Sequence, residues 1–177
     1  MRIIAGAWRG RTIEAPPGAA TRPTSDRARE ALFSMLASRL GSFEGLRVAD
    51  LFAGTGALGL EALSRGAGRC SFVETDRAAI DALRRNVGRL GAGDRADICA
   101  QSALHGLPGP FDLVLLDPPY GSGLGPQALA ALGAAVSPGA WVGLETGVRE
   151  PVAAVGFTLE AERVHGKAKL SLLRRAP

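Results

Sequence analysis

The chain is 177 residues long, 46% hydrophobic, 21% charged and 5% aromatic, which is enough apolar content for one domain with its own core and too much for a disordered tail. No apolar run is long enough to span a bilayer, and Trp8-Arg9-Gly10-Arg11 follows the first residues too soon for a secretion signal, so a cytoplasmic protein without membrane association is expected. The formal charge of +4 is unevenly placed: residues 1–40 hold seven arginines against Glu14, Asp26 and Glu30, residues 41–162 hold nine basic and fourteen acidic groups, and residues 163–177 hold five basic groups and no acid.

In chain order, Arg2-Ile3-Ile4-Ala5 and Arg11-Thr12-Ile13-Glu14 are short β-prone pieces joined through Gly6 and Gly10, and they read as a hairpin extension over residues 1–20. Residues 21–177 read as the main domain. Arg22-Pro23-Thr24-Ser25-Asp26 supplies a proline, a cap candidate and an early acid, and Ala28, Leu32, Met35, Leu36 and Leu40 then recur at helical spacing. Strands are predicted over 46–52, 69–74, 96–101, 111–117 and 140–145, with helices over 58–65, 77–90 and 126–136 between them. This alternation marks an α/β fold with a parallel sheet, and the uninterrupted Leu113-Val114-Leu115-Leu116 implies a strand buried on both faces. Residues 157–164 and 167–173, separated by His165-Gly166, read as an antiparallel pair at the sheet edge. Cys70 and Cys99 sit in apolar runs without a partner motif and are expected to be buried free thiols. With only His105 and His165, and neither a CxxC nor an HExxH motif, no metal site is expected.

The segment Asp50-Leu51-Phe52-Ala53-Gly54-Thr55-Gly56-Ala57-Leu58-Gly59 carries a strand into a glycine turn and then a helix N-terminus, where the backbone can approach a ligand closely. Gly54-x-Gly56-x-x-Gly59 alone fits a dinucleotide site equally well. Glu74, at the end of the next strand, can accept hydrogen bonds from both hydroxyls of a ribose. Asp50 separates the candidates, because a carboxylate there repels a pyrophosphate but attracts a ligand bearing an ammonium and a sulfonium; its alternative is a turn or helix-capping acid. Asp76 reads equally well as a cap for the helix beginning at Arg77. The motif resembles the first motif of S-adenosylmethionine-dependent methyltransferases of the Rossmann-like class. That resemblance implies S-adenosyl-L-methionine as cofactor, with Asp50, Ala53, Gly54, Thr55 and Gly56 at its methionine end and Glu74 on its ribose. It also places Ser102 and Ala103 beside the adenine, although Ser102 stands where the pattern has an acid or an amide.

After the fourth strand, Asp117-Pro118-Pro119-Tyr120 ends the sheet pattern and holds Asp117 and the Pro118 carbonyl extended at the carboxyl edge, where ligands bind in open α/β folds. The lone pair of an exocyclic base amine is delocalised into the ring. Two aligned acceptors, the Asp117 carboxylate and the Pro118 carbonyl, can orient the nitrogen toward a methyl donor while Tyr120 stacks a base flipped out of its helix. The element itself leaves adenine N6, cytosine N4, guanine N2 and a glutamine amide open.

The whole chain resembles the RsmD family, bacterial methyltransferases of guanine N2 in small-subunit (16S) ribosomal RNA. The resemblance rests on Arg2-Ile3-Ile4-Ala5-Gly6, Trp8-Arg9-Gly10-Arg11, Arg22-Pro23-Thr24, Asp26-Arg27, Arg29-Glu30, the run from Gly56 to Gly66 and the Asp-Pro-Pro-Tyr element. It implies a class I Rossmann-like fold, with a mostly parallel seven-stranded sheet and an antiparallel last strand. It also implies ribosomal RNA or the small subunit as partner, and a monomer. Gly166-Lys167-Ala168-Lys169 departs from the Gly-Asp-Thr-like turn of the family. Arg2, Arg9, Arg11, Arg22, Arg27 and Arg29 are candidates for phosphate contact, Trp8 for base stacking or for packing of the hairpin, and Thr24 and Arg27 for a place over the cofactor pocket. Lys167 and Lys169, alternating with Ala168, Leu170 and Leu172, predict an exposed basic face on the last strand. A DNA adenine or cytosine amino-methyltransferase is the enzymatic alternative, though little chain remains for a domain that reads duplex sequence. A non-catalytic nucleotide- or RNA-binding module is the other, and it has no need of Asp117-Pro118-Pro119-Tyr120.

Overall fold

Leu113, Val114, Leu115 and Leu116 are fully buried because their strand, β4 (Phe111–Leu116), lies near the middle of a seven-stranded sheet with helices on both faces. The structure is a computed structural model that describes residues 1–18 and 26–177. Its other strands are β1 (Arg47–Leu51), β2 (Arg69–Glu74), β3 (Ala96–Ala100), β5 (Val136–Gly147), β6 (Phe157–His165) and β7 (Ala168–Arg175). The order across the sheet is β3-β2-β1-β4-β5-β7-β6, with β1 to β5 parallel and β7 running antiparallel between β5 and β6. The chain moves outward from β1 to β2 on one side and returns to β4 on the other. That reversal opens a crevice at the carboxyl ends of β1 and β4.

Strand alternation sorts the core into two layers. Val48, Leu113 and Leu115 face helices α1 (Asp26–Leu40), α2 (Ala57–Ser64) and α3 (Arg77–Leu90), packing with Leu32, Leu36, Leu60 and Leu83. Ala49, Leu51, Val114 and Leu116 face the other way, with Ala128, Leu129 and Leu132 of α4 (Leu124–Leu132). Ile3 and Ile13 of the N-terminal segment belong to the first layer. Arg2 and Thr12 form a single antiparallel bridge there, so the expected hairpin is present but short. It docks on α2: Ile4 and Ala5 donate their N–H groups to the buried Glu61 carboxylate at 2.9 and 3.0 Å, and Trp8 donates to the Ser64 hydroxyl at 3.0 Å. Gly6 sits at φ +86°, and a Cβ there would lie 1.9 Å from the Ser64 carbonyl oxygen, so only glycine permits this approach.

Three expectations are corrected. β5 begins at Val136, well before residue 140, because its pairing with β4 shifts register between Phe111/Val136 and Leu113/Trp141; Ser137, Pro138 and Gly139 bulge out within a strand that continues on either side. The last strand has no exposed basic face. Ser171 is buried, and Lys169 turns its ammonium to the Glu150 carbonyl and, at 3.5 Å, to Glu162, because the segment after β5 covers that face with Val152 packed near Leu173. Cys70 is buried as expected but Cys99 is only half-buried, on the outer strand β3; both thiols are free.

Candidate active site

β1 delivers Phe52 into the left-handed region at φ +61°, a conformation that costs a bulky residue about 1 kcal/mol or more and survives only where the surroundings fix it. The glycines that follow differ in task. A Cβ on Gly56 (φ +87°) would meet Leu83 at 2.4 Å, and one on Gly59 would meet Phe72 at 2.3 Å, so both allow close packing of the helices on the sheet. A Cβ on Gly54 (φ +56°) would meet nothing within 4 Å; this glycine faces a cavity of about 270 Å3. Asn86 of α3 braces the loop, donating to the Thr55 and Glu14 carbonyls at 3.0 Å each.

Asp50 is 1% exposed and lines the same cavity. One carboxylate oxygen accepts the Gly59 N–H at 2.8 Å, in the first turn of α2, so the capping role is real. Its Oδ1 is buried with no hydrogen-bond partner among the described residues. Burial pushes its carboxyl well above the ordinary value against the pull of the Gly59 N–H, and the nearby Asp117 and Glu74 add to the rise. An open, buried carboxylate oxygen beside a cavity is a seat for a cation. On the same cavity lies Arg29, a fully buried arginine of α1 whose guanidinium donates to the Arg2 carbonyl, pairs with Asp26 at 3.2 Å and has Nε 3.8 Å from Glu61.

Glu74 ends β2 with both oxygens engaged by backbone: Oε2 accepts from Gly54 at 2.8 Å, and Oε1 accepts from Thr75 at 2.7 Å and Asp76 at 2.9 Å. This ties the glycine loop to the second strand and leaves lone pairs toward a second cavity, of about 400 Å3, which Glu74 lines. Asp76 caps α3 through the Ala79 N–H at 2.8 Å. Ser102 accepts from Leu104 at 3.2 Å, so its hydroxyl caps the short turn that carries Ala103 into the wall of this larger cavity.

Asp117 follows β4 directly and lines both cavities, as does Phe52. Pro118 is buried, and Pro119 lines the larger cavity. Tyr120 is half-buried and donates its hydroxyl to Oε1 of Glu145 at 2.7 Å. The loop beyond it is held by Glu150, which accepts from the Gly147 N–H at 2.5 Å. Burial alone would raise the Glu150 carboxyl, but the N–H groups of Gly121, Gly147 and Gly123 and the Lys169 ammonium outweigh it and hold the group below its usual range.

The expected site residues therefore fall into distinct places. Asp50, Ala53, Gly54 and Thr55 share the smaller cavity, while Glu74, Ser102, Ala103 and Pro119 share the larger, and Asp117 joins the two; Gly56 turns into the packing. Arg2, Arg9, Arg11, Arg27 and Lys167 are exposed. Arg11 also donates to the Arg89 carbonyl at 2.6 Å. Trp8 is half-buried beneath the Arg95 guanidinium, 5.1 Å from its ring centroid. Arg22 and Thr24 lie outside the described residues. Phe52, Gln101, Leu104 and Glu145 enter the site or its walls without having been singled out, and Arg29, expected to contact phosphate, is instead fully buried in the wall of the smaller cavity. Its burial was detectable: with Leu32, Phe33 and Leu36 it completes the buried stripe of α1, where an arginine needs a partner.

This strand order, with a glycine turn after the first strand, an acid ending the second and an Asp-Pro-Pro-Tyr turn after the fourth, defines a methyltransferase of the Rossmann-like fold. The chain belongs to the family of the ribosomal RNA small subunit methyltransferases D. The family model described as Conserved hypothetical protein 95 matches residues 1–174. Ribosomal RNA small subunit methyltransferase D of Haemophilus influenzae is 37% identical over 175 residues, covering 94% of this chain and 89% of its own length. The protein of the same name from Escherichia coli K12 is 36% identical, covering 99% and 90%. The solved structure of yhhF from Escherichia coli superposes with a TM-score of 0.85 at 34% identity, covering 99% of this chain and 98% of that one.

Proposed function

We propose that this protein transfers a methyl group from S-adenosylmethionine to the N2 amine of a guanine in small-subunit (16S) ribosomal RNA. The observation that carries the chemistry is the pair of cavities joined at Asp117, one holding a buried carboxylate with an open oxygen and the other edged by Glu74. The RNA substrate is supported by the names of the relatives, and the choice of guanine N2 by the family resemblance set out above.

The residues fit the cofactor in charge and in shape. Asp50 Oδ1 would accept from its ammonium, Arg29 would supply positive charge for its carboxylate, and Glu74 would accept from its ribose hydroxyls. Ala103 and Ser102 wall the space for the adenine. When bound, S-adenosylmethionine supplies an electrophilic methyl on a sulfonium. The chain has to bring an amine to that methyl in line and with its lone pair free. The Asp117 carboxylate and the Pro118 carbonyl each take one N–H of the amine, which turns the lone pair out of the ring plane. The bound cofactor would give up its methyl and leave as the neutral thioether; the nitrogen taking the methyl would shed a proton, and Asp117 is the acceptor beside it. Tyr120 stacks the base, which must leave its helix to reach this depth. Arg2, Arg9, Arg11 and Arg27 on the hairpin and first helix, with Lys167 at the β6–β7 turn, contact phosphate. Residues 1–20 serve as the RNA-facing extension of the methyltransferase domain.

Incubation with methyl-tritiated S-adenosylmethionine and small subunits, naked 16S RNA, DNA or protein, followed by nucleoside analysis, tests this reading. Label in N2-methylguanosine is expected. Label in methyladenosine, methylcytidine or protein alone would overturn it.

A further inference from the structure

Residues Ala140 to Thr146 form a run of seven buried positions in β5, and Glu145, 1% exposed, is the one among them with an ionisable side chain. Leucine would occupy that place without the cost of burying a carboxylate, and only a specific partner offsets that cost. One such partner is the phenol of Tyr120, whose hydroxyl donates to Oε1 at 2.7 Å, a hydrogen bond between the turn after β4 and the end of β5. The register explains why they meet. Leu116, the last residue of β4, pairs with Leu144, and both belong to the α4 layer; Glu145, the next residue of β5, therefore faces the other layer, beside the point where the Asp117 turn leaves the sheet. Tyr120, three residues further on, folds back to reach Glu145, and its Cβ lies beside Gly147, at an ordinary contact distance of 3.8 Å from where a Cβ there would stand.

We propose that Glu145 is a positioning residue for methyl transfer: by holding the Tyr120 hydroxyl it fixes the direction of the ring's long axis before RNA arrives. The stacked base then presents its amine in register with Asp117 and the Pro118 carbonyl. This rests on Tyr120 as the stacking residue of the reading above. A ring pinned at its far end has lost its freedom to tilt, and tilt at the ring becomes displacement at the amine, where an error near 1 Å can cost about a hundredfold in rate.

Tyr120 is the only tyrosine in the chain, so protein grown with ring-labelled tyrosine gives carbon and proton resonances from this residue alone. The hydroxyl lies on the flip axis, so the bond restrains the swing of that axis and not the flip; in the free enzyme a held ring is expected to give signals displaced from those of a mobile tyrosine by its fixed surroundings. In Glu145→Leu the signals move toward those of a mobile tyrosine. Single-turnover methyl transfer from S-adenosylmethionine to small subunits should fall about tenfold or more in Glu145→Leu and to the same degree in Tyr120→Phe, with the dissociation constant for S-adenosylhomocysteine within about twofold of wild type. Glu145→Gln, which keeps an oxygen acceptor, recovers most of the rate. The double variant Tyr120→Phe/Glu145→Leu falls no further than either single one, because both remove the same bond. Multiplying losses, or ring signals and rates untouched by Glu145→Leu, would overturn the proposal, and Tyr120→Phe carries the test if Glu145→Leu does not fold. Tyr120→Ala separates the two ideas. If it abolishes transfer while Tyr120→Phe and Glu145→Leu do not slow it, stacking stands and positioning falls; if it is fully active, the stacking reading fails, and the positioning role with it.

Discussion

Replacing Asp50 by Asn should make the cofactor-free protein more stable and the cofactor bind more weakly. The side chain keeps its shape, and its oxygen can still accept the Gly59 N–H that Asp50 accepts at 2.8 Å. What is lost is a buried charge with one oxygen lacking a hydrogen bond. Its carboxyl lies well above the unfolded value of 3.8 chiefly through burial, so the folded state holds the proton more tightly than the unfolded chain does. Stability is therefore greatest below that value and falls as pH rises from it toward the folded pKa. At neutral pH the neutral amide escapes that loss, and relief of about 1–2 kcal/mol raises Tm by roughly 2–8 °C for a chain of this size. In the complex the effect reverses. With Asp50 on the cofactor's ammonium as proposed, a charge-assisted hydrogen bond would be replaced by an N–H facing N–H groups, a loss of about 2–3 kcal/mol, or roughly 30- to 150-fold in the dissociation constant for S-adenosylmethionine. Calorimetric unfolding without ligand and isothermal titration with S-adenosylhomocysteine check both signs. A lower Tm together with unchanged affinity would refute the assignment of Asp50 to the cofactor's cationic end.

Gly6→Ala must move the hairpin off α2, since its Cβ would lie 1.9 Å from the Ser64 carbonyl oxygen at a φ of +86°; urea unfolding should show a loss of more than about 1 kcal/mol. Arg9→Ala and Lys167→Ala should each flatten the salt dependence of RNA binding, by about 0.7–0.9 in log–log slope for every phosphate contact removed. Lys169→Ala should leave that slope unchanged and lower the Tm, because its ammonium is already bound to Glu150 and Glu162.

The parts of the fold and site that were legible in the sequence are those fixed by neighbours along the chain. The glycine turn after β1, the acid ending β2 and the proline turn after β4 were readable because each is a local device whose position relative to a strand decides where it lies. The α3 boundaries, Arg77 to Leu90, were readable for the same reason, with Asp76 as cap and Gly91 in the left-handed C-terminal position. What escaped depends on contacts distant in sequence. Pro138 and Gly139 hid the start of β5 because a bulge opposite β4 absorbs them. Lys169 looked exposed because alternation alone does not reveal that residues after β5 cover its face. Glu145 was invisible as a functional candidate because its partner, Tyr120, lies on another strand's turn, 25 residues earlier.

The central claim is that Asp117, where the two cavities meet, is the group that orients the amine. Single-turnover methyl transfer by Asp117→Ala to small subunits, with S-adenosylhomocysteine affinity measured on the same preparation, tests it most directly. The account predicts a rate lower by about a hundredfold or more, with cofactor affinity within a few-fold of wild type, as removal of one preorganised group from a reacting centre requires. A wild-type rate from Asp117→Ala would contradict it.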